Sequence, residues 1–307
     1  MSDEYFHNPM TDKPVEKQEP PPMPEDVKCE VCGGEILYQK REGVENMGSL
    51  GGALYSRLYW QKIGHEECDA FLEKQRELEE QQKENNKRVS EALHEIKAAT
   101  RYMYDNWETK TFDTYRAEPE NIKALKYMRA WKPESDTFGF FLMGASGTGK
   151  THLMTATFNF IKGNLDTVCR NEKVNPKNLC MWANFSELME QMRQEMFGDR
   201  KNSPTMQKAK TCRYLFLDDV ATGAITDHQR NQFYLILEGR KNQGLPTFMT
   251  ANLTGEEMKS SFHERVLSRI KENCVVFTIQ GSDFRTGVME ANKHILEQRI
   301  TGQDHDV

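Results

Sequence analysis

The chain has no run of about 18 consecutive apolar residues, the length that a membrane-spanning helix requires. Its first stretch, Met1 to Pro24, is polar and proline-rich and has no apolar core of the kind a signal peptide carries. Both features point to a cytoplasmic protein. Excess positive charge is also missing: 41 Lys and Arg stand against 47 Asp and Glu, a formal net charge of −6. That balance argues against a general nucleic-acid coat but leaves room for a local basic groove. Cysteine is sparse and odd in number. The seven residues Cys29, Cys32, Cys68, Cys169, Cys180, Cys212 and Cys274 do not make a disulfide framework in a reducing compartment. The last four sit singly among apolar residues and read as buried structural thiols. Repeats at solenoid spacing are absent as well.

What is there suits one sizeable domain and a smaller module. The chain has 307 residues, 37% of them hydrophobic and 29% charged. Residues 1–27 carry Pro9, Pro14, Pro20, Pro21, Pro22 and Pro24 among mixed charges and are expected to be disordered. Residues 28–72 hold paired cysteines, glycines and aromatics. Residues 73–106 are rich in Glu, Gln, Lys and Arg with irregular apolar positions, which predicts a solvated helical linker. Within residues 107–290, short apolar runs alternate with helical patterns. Strands are expected at Phe138–Met143, Leu179–Ala183, Tyr214–Leu217, Pro246–Thr250 and Cys274–Ile279. Helices are expected at Thr151–Lys162, Phe185–Phe197 and His228–Asn242. Such alternation predicts an α/β fold with a parallel sheet covered on both faces. Residues 291–307 form a polar tail.

Gly144-Ala145-Ser146-Gly147-Thr148-Gly149-Lys150-Thr151 fits G-x-x-x-x-G-K-[ST] and lies between an expected strand and an expected helix. That context marks a phosphate-binding loop: backbone N–H groups and the helix N-terminus face the phosphates of ATP. Lys150 would reach the β- and γ-phosphates, and the Thr151 hydroxyl would ligate Mg²⁺. The run Tyr214-Leu215-Phe216-Leu217-Asp218-Asp219 ends in two acids at the same sheet edge. Asp218 would hold Mg²⁺ and Asp219 would orient the attacking water. A third strand ends in Thr250-Ala251-Asn252, and Asn252 is a candidate partner of the γ-phosphate, or simply a turn residue. Arg265 and Arg269 lie four apart on one expected helix face, and Arg285 follows the last strand. Any of them is a phosphate contact or a surface salt bridge.

With these elements in order, the sequence resembles the DnaC/DnaI-type replicative helicase loaders of the AAA+ superfamily, with IstB-like transposition helpers as near relatives. The resemblance covers Trp107 to Gly287. It rests further on Thr111-Phe112-Asp113-Thr114-Tyr115 with Asn121, on Leu245-Pro246-Thr247, and on Glu264-Arg265-Val266-Leu267-Ser268-Arg269-Ile270. It implies an AAA+ core with a five-stranded sheet and ATP bound between neighbouring subunits, hence self-association. Asn252 matches the sensor-1 position, Arg269 the arginine finger with Arg265 second, and Arg285 the sensor-2 position. Two departures stand out. Ala221 replaces the usual Gly after the acidic pair, and the second acid is Asp219 rather than Glu, which implies slow turnover.

Cys29-Glu30-Val31-Cys32-Gly33-Gly34 is a zinc-knuckle type sequence, and His65-Glu66-Glu67-Cys68 offers a second pair of ligands. The Cys₃His set predicts a closed structural zinc site that would supply folding energy to a module with little core. By the same resemblance the module would bind a hexameric replicative helicase. Base stacking on Tyr55, Tyr59 and Trp60 is the alternative. Single-stranded DNA would meet the ATPase core, with Lys201, Lys208, Lys210, Arg240 and Lys241 as candidate contacts. Three functions therefore compete: an ATP-dependent helicase loader, a transposition helper, and an adaptor that binds ATP without turning it over.

Overall fold

The computed structural model describes residues 20–22, 28–34, 36–41, 59–63, 65–196, 203–221, 223, 225–281 and 283–300, with the backbone alone at 63, 285–288, 291, 299 and 300. Two compact units divide between Lys83 and Glu84. In the first, β1 (Leu37–Lys40) pairs antiparallel with β2 (Trp60–Ile63). Its core is slight: Cys29, Ile36 and Tyr59 are buried. Tyr59 packs edge-on against Trp60 at 5.2 Å, and Trp60 Nε1 donates to the Pro21 carbonyl at 3.0 Å. The buried Tyr59 ring is a core element, not a stacking platform. Tyr55 and Lys201 lie outside the described residues.

Helix α1 (Glu66–Ala99) is continuous in sequence across the boundary. The expected linker helix thus starts earlier, within residues 28–72. Its final turns are not solvated: Ala92, Ile96 and Ala99 are buried in the core of the second unit. Arg88 anchors this end by donating to the carbonyls of Cys169 (2.8 Å), Asn171 (3.1 Å) and Val174 (2.6 Å).

The second unit is built on five strands: β3 (Gly139–Met143), β4 (Cys180–Asn184), β5 (Tyr214–Asp218), β6 (Thr247–Ala251) and β7 (Cys274–Thr278). Their order is β4-β5-β6-β3-β7, and every pairing is parallel. These are the strands expected from the apolar runs, because a sheet covered on both faces needs apolar residues at nearly every position. One face carries α2 (Ile122–Ala130), α3 (Lys150–Gly163), α4 (Leu165–Arg170) and the end of α1. The other carries α5 (Phe185–Met196), α6 (Pro204–Thr211), α7 (Asp227–Gln243), α8 (Gly255–Ser261) and α9 (Glu264–Asn273). Helix α10 (Phe284–Ile300) follows β7 and runs into the expected tail.

Register sets the first core. Trp182, Phe216 and Phe248 occupy one rung across β4, β5 and β6. Their rings stack at 5.3 and 4.7 Å, and Phe158 from α3 meets Trp182 and Phe216 edge-on. Each such pair adds roughly 1 kcal/mol beyond the area it buries. The opposite face holds a buried cation. Arg240 on α7 is fully buried. It donates to the carbonyls of Ala209 (2.9 Å), Cys212 (2.8 Å), Arg213 (3.2 Å) and Pro246 (2.6 Å), and to Thr247 Oγ1 (2.8 Å). Burial lowers its pKa. The expectation that Arg240 contacts DNA is therefore overturned: its donors are spent tying the end of α6 to the strand entrances. Lys208 and Lys241 pair instead with Glu95 and Glu272.

Candidate active site and metal-ligand cluster

In an open parallel sheet, ligands bind beyond the carboxyl ends of the strands where the strand order switches. Here the glycine loop leaves β3 at Met143 and enters α3 at Lys150. Gly144, Gly147 and Gly149 all have positive φ, at 143°, 76° and 91°. All three also lack room for a side chain: a Cβ on Gly149 would lie 2.8 Å from the Tyr115 ring. A Cβ on Gly144 would lie 2.1 Å from the Ile279 carbonyl oxygen, and one on Gly147 would lie 1.7 Å from Asp283 Oδ1. A loop wound this way at the head of a helix is an anion cradle. Lys150 Nζ donates to the carbonyls of Gly144 (2.9 Å) and Ala145 (2.6 Å), and Thr148 Oγ1 also donates to Ala145 (2.9 Å). Ser146 completes the loop between them.

The acidic pair converges on this loop. Asp218 Oδ1 accepts from Thr151 Oγ1 at 3.2 Å and from Thr250 Oγ1 at 2.5 Å. Its pKa is raised, first by burial and further by the charge of Asp219, while the two hydroxyls pull it down. Thr151 and Asp218 thus put two hard oxygen ligands side by side, which is the donor set that Mg²⁺ takes. Asp219 sits in a left-handed conformation with φ 54°, and Ala221 follows at 64°. The Asp219 N–H donates to Thr250 Oγ1 at 3.0 Å, and Asn252 Nδ2 donates to Asp219 Oδ1 at 3.1 Å. Lys150, Thr151, Asp218, Asp219 and Asn252 are therefore brought to one sheet edge. Thr250 is the residue whose role the sequence reading missed. A hydroxyl near the carboxyl end of the wholly buried strand Thr247–Ala251, after the apolar Phe248 and Met249, was the available signal.

Two further segments brace the loop. Asn121 is buried. Its amide donates to the Gln280 carbonyl (2.6 Å) and to Tyr115 Oη (3.3 Å), and its oxygen accepts from the Gln280 N–H (3.0 Å). The Tyr115 ring lies against Gly149 and edge-on to His152 at 5.3 Å. Burial lowers the His152 pKa, and its Nε2 meets the Thr111 carbonyl at 3.0 Å. After β7, the Phe284 N–H donates to the Gly147 carbonyl at 3.2 Å, so the backbone of Arg285 begins α10 beside the loop. The Arg285 side chain lies outside the described residues.

Arg265 and Arg269 are on α9, facing α7. Arg269 is paired with Glu238 and with Glu272, the latter through both carboxylate oxygens at 2.8 and 2.9 Å. The hydrogen bond to Glu238 leads the causes that raise its pKa. Arg265 bonds Asn231 and lies over the Tyr234 ring at 5.0 Å.

In the first unit, the ligand atoms of Cys29, Cys32, His65 and Cys68 all lie within 4.8 Å of one another. A tetrahedral zinc site with Zn–S bonds of about 2.3 Å has edges of about 3.8 Å, so the donor set fits that ion in kind and spacing. The knuckle is closed by the Gly33 N–H on the Cys29 carbonyl and the Cys29 N–H on the Gly34 carbonyl, both at 2.8 Å. Gly33 supplies the φ of 70° that this turn requires. Hydrogen bonds from the backbone at Cys32 and Val31 lower the Cys29 pKa to about 6, whereas burial and the neighbouring thiols raise Cys68 to about 11, so these crowded thiols ionise together only with a cation between them. His65 Nδ1 lies 3.6 Å from Cys32 Sγ, and Cys68 follows on the first turn of α1.

Residues 107–276 match the family model of the bacterial DnaA ATPase domain. The chain belongs to that family. Its DnaA-type domain has the AAA+ fold, with the sheet and glycine loop described above. DnaI, the replicative helicase loader of Bacillus subtilis (strain 168), is 23% identical over 137 residues, 44% of this chain and 40% of DnaI. The replicative helicase loader DnaC of Escherichia coli (strain K12) is 23% identical over 222 residues, 70% of this chain and 79% of DnaC. The crystal structure of the DnaC helicase loader aligns with a TM-score of 0.47 at 22% identity, covering 58% of this chain and 100% of that one. The sequence likeness to DnaC/DnaI-type loaders thus agrees with the expectation from the motifs. Among the described residues, no helix is long and apolar enough to cross a membrane.

Proposed function

We propose that the protein is an ATP-dependent loader that binds a hexameric replicative DNA helicase and places it on single-stranded DNA during replication initiation. The observation that carries this reading is the convergence of Thr151, Asp218, Thr250, Asp219 and Asn252 on one hydrogen-bonded edge beside the glycine loop. A chain that only bound ATP would need Lys150 and the loop. It would not need a carboxylate held by a sensor asparagine where the lytic water is oriented.

In this mechanism Lys150 leaves its loop carbonyls to neutralise the phosphates, and Asp219 orients water with Asn252 as its guide. Thr151 and Asp218 would hold Mg²⁺, which when bound would neutralise charge at the phosphates. Arg269 is the finger offered to a neighbouring subunit's ATP, and Arg285 contacts phosphate within its own subunit. The Glu238–Arg269–Glu272 cluster fits a finger held in place until a neighbour's phosphate competes for it. Self-association through the ATPase domain follows from that shared site. Cys29, Cys32, His65 and Cys68 would hold zinc, which would fix the fold of the surface that meets the helicase. The loader names of DnaI and DnaC support this choice over a transposition helper.

Capture assays with the full chain test the reading. A purified hexameric replicative helicase should be retained in the presence of ATP, and ATP turnover should rise with single-stranded DNA. Failure to retain any replicative helicase, with or without ATP, would exclude the loader. Binding of ATP with no turnover under either condition would favour the adaptor.

A further inference from the structure

Tyr104 lies in the stretch that joins α1 to the sheet domain. Both sides of this stretch are fastened along α3. Met103 and Trp107 pack against the core, with Trp107 edge-on to Phe158 at 5.6 Å. Asn159 Nδ2 donates to the carbonyls of Trp107 (2.9 Å) and Lys110 (2.8 Å). Held this way, Tyr104 leaves part of its ring in solvent and turns its hydroxyl inward onto Thr155 Oγ1 at 2.8 Å.

The direction of that hydrogen bond can be assigned. Thr155 is fully buried, and its one hydroxyl proton is spent on the Thr151 carbonyl at 2.7 Å. Tyr104 must therefore be the donor. Thr151, Thr155 and Asn159 are spaced four apart, so they form one stripe of α3, each about 6 Å further along the axis. The first of them bonds Asp218, the second Tyr104, and the third the carbonyls that follow Tyr104. Burial raises the phenol pKa, and the nearby Asp218 carboxylate adds to the effect. Tyr104 is thus a neighbour of the magnesium ligands, supplied by a segment outside every nucleotide-site motif.

We propose that Tyr104 is a positioning residue for the divalent cation of the nucleotide site: through Thr155 it fixes the Thr151 backbone, and with it the hydroxyl that Thr151 sets beside Asp218. A donor on Thr155 Oγ1 polarises that hydroxyl toward the Thr151 carbonyl and stops it from rotating away. The first turn of α3 then keeps the Thr151 side chain in the orientation that a metal with strict octahedral geometry demands. This inference rests on the ATP reading above.

The test is Tyr104→Phe in the full chain, with a fluorescent ATP analogue titrated with Mg²⁺ and again in EDTA. The Mg²⁺ concentration that half-saturates the tightened binding should rise about five-fold. Affinity in EDTA should stay at the wild-type value, and the unfolding midpoint without nucleotide should drop by no more than the loss of one neutral hydrogen bond gives. Thr155→Val should act in the same direction, and the double variant should lose little more than either single one. An unchanged Mg²⁺ requirement would overturn the proposal. So would an equal loss of affinity with and without Mg²⁺, which marks a merely structural residue. Wild-type protein that binds no analogue under any condition would overturn the ATP reading itself, and this inference with it.

Discussion

Thr250→Val is the sharpest perturbation of the site, because it keeps the shape of a wholly buried side chain and removes one hydroxyl. That hydroxyl donates to Asp218 and accepts the Asp219 N–H. A hydrogen bond to a carboxylate contributes about 2 kcal/mol, and an amide left without its acceptor costs about 1 kcal/mol more. The new methyl returns about 0.8 kcal/mol of apolar burial. The unfolding free energy should therefore fall by about 2 kcal/mol, read from chemical denaturation. The functional effect should be larger than the stability effect. The Asp219 N–H bond to Thr250 holds a residue at φ 54°, a conformation that non-glycine residues adopt at a cost of about 1 kcal/mol. Freed from Thr250, that turn relaxes and Asp219 leaves Asn252. Turnover should fall by about 100-fold, while nucleotide affinity in EDTA, which depends on the glycine loop, stays near wild type. Thr250→Ser keeps the hydroxyl and loses only a methyl, so it should cost about 1 kcal/mol of stability and retain turnover. Wild-type turnover in Thr250→Val, or equal turnover loss in Thr250→Ser, would refute the role assigned to the hydroxyl.

The acidic pair makes a second prediction with a defined sign. A carboxyl with a raised folded-state pKa, as at Asp218, stabilises the fold fully below its unfolded value and loses that contribution as pH rises through the folded value. The ionised Asp218 is then a net cost at neutral pH. Asp218→Asn should unfold at a higher denaturant midpoint at pH 7, with the gain shrinking toward pH 4, and should lose Mg²⁺-dependent turnover. Arg240→Met leaves four carbonyls and Thr247 Oγ1 without their donor and should cost on the order of 4 kcal/mol; a midpoint within error of wild type would contradict the buried-clamp account. Metal analysis of protein purified without chelator should give about one zinc per chain. Cys68→Ser should lose it and expose the first unit to proteolysis, with nucleotide binding intact. Arg269→Ala should abolish turnover and spare nucleotide affinity; loss of affinity instead would remove the finger assignment.

The strands were legible because a parallel sheet covered on both faces turns each of them into a bounded apolar run, and Phe140–Met143 and Tyr214–Leu217 are runs of that kind. The candidate site edge was legible for a topological reason. Loops that leave β3, β5 and β6 end on the same side of neighbouring strands, so motifs far apart in sequence had to meet. What escaped were residues whose partners are fixed by packing between distant segments. Arg240 read as a surface charge because nothing near it in the chain announces the carbonyls of Ala209 and Cys212, which the end of α6 delivers to it. The end of α1 read as solvated because Arg88 and Glu95 dominate its composition, whereas small Ala92 and Ala99 make its contacts. Thr250 and Tyr104 follow the same rule on the functional side. Each is an ordinary residue by type, and each gains its role from a hydrogen bond between its hydroxyl and a side chain 32 or 51 positions away. The residues proposed to touch nucleotide were written into motifs because that chemistry restricts their type. The residues that aim them were not, because any segment that the fold brings past Asp218 or Thr155 can supply a hydroxyl.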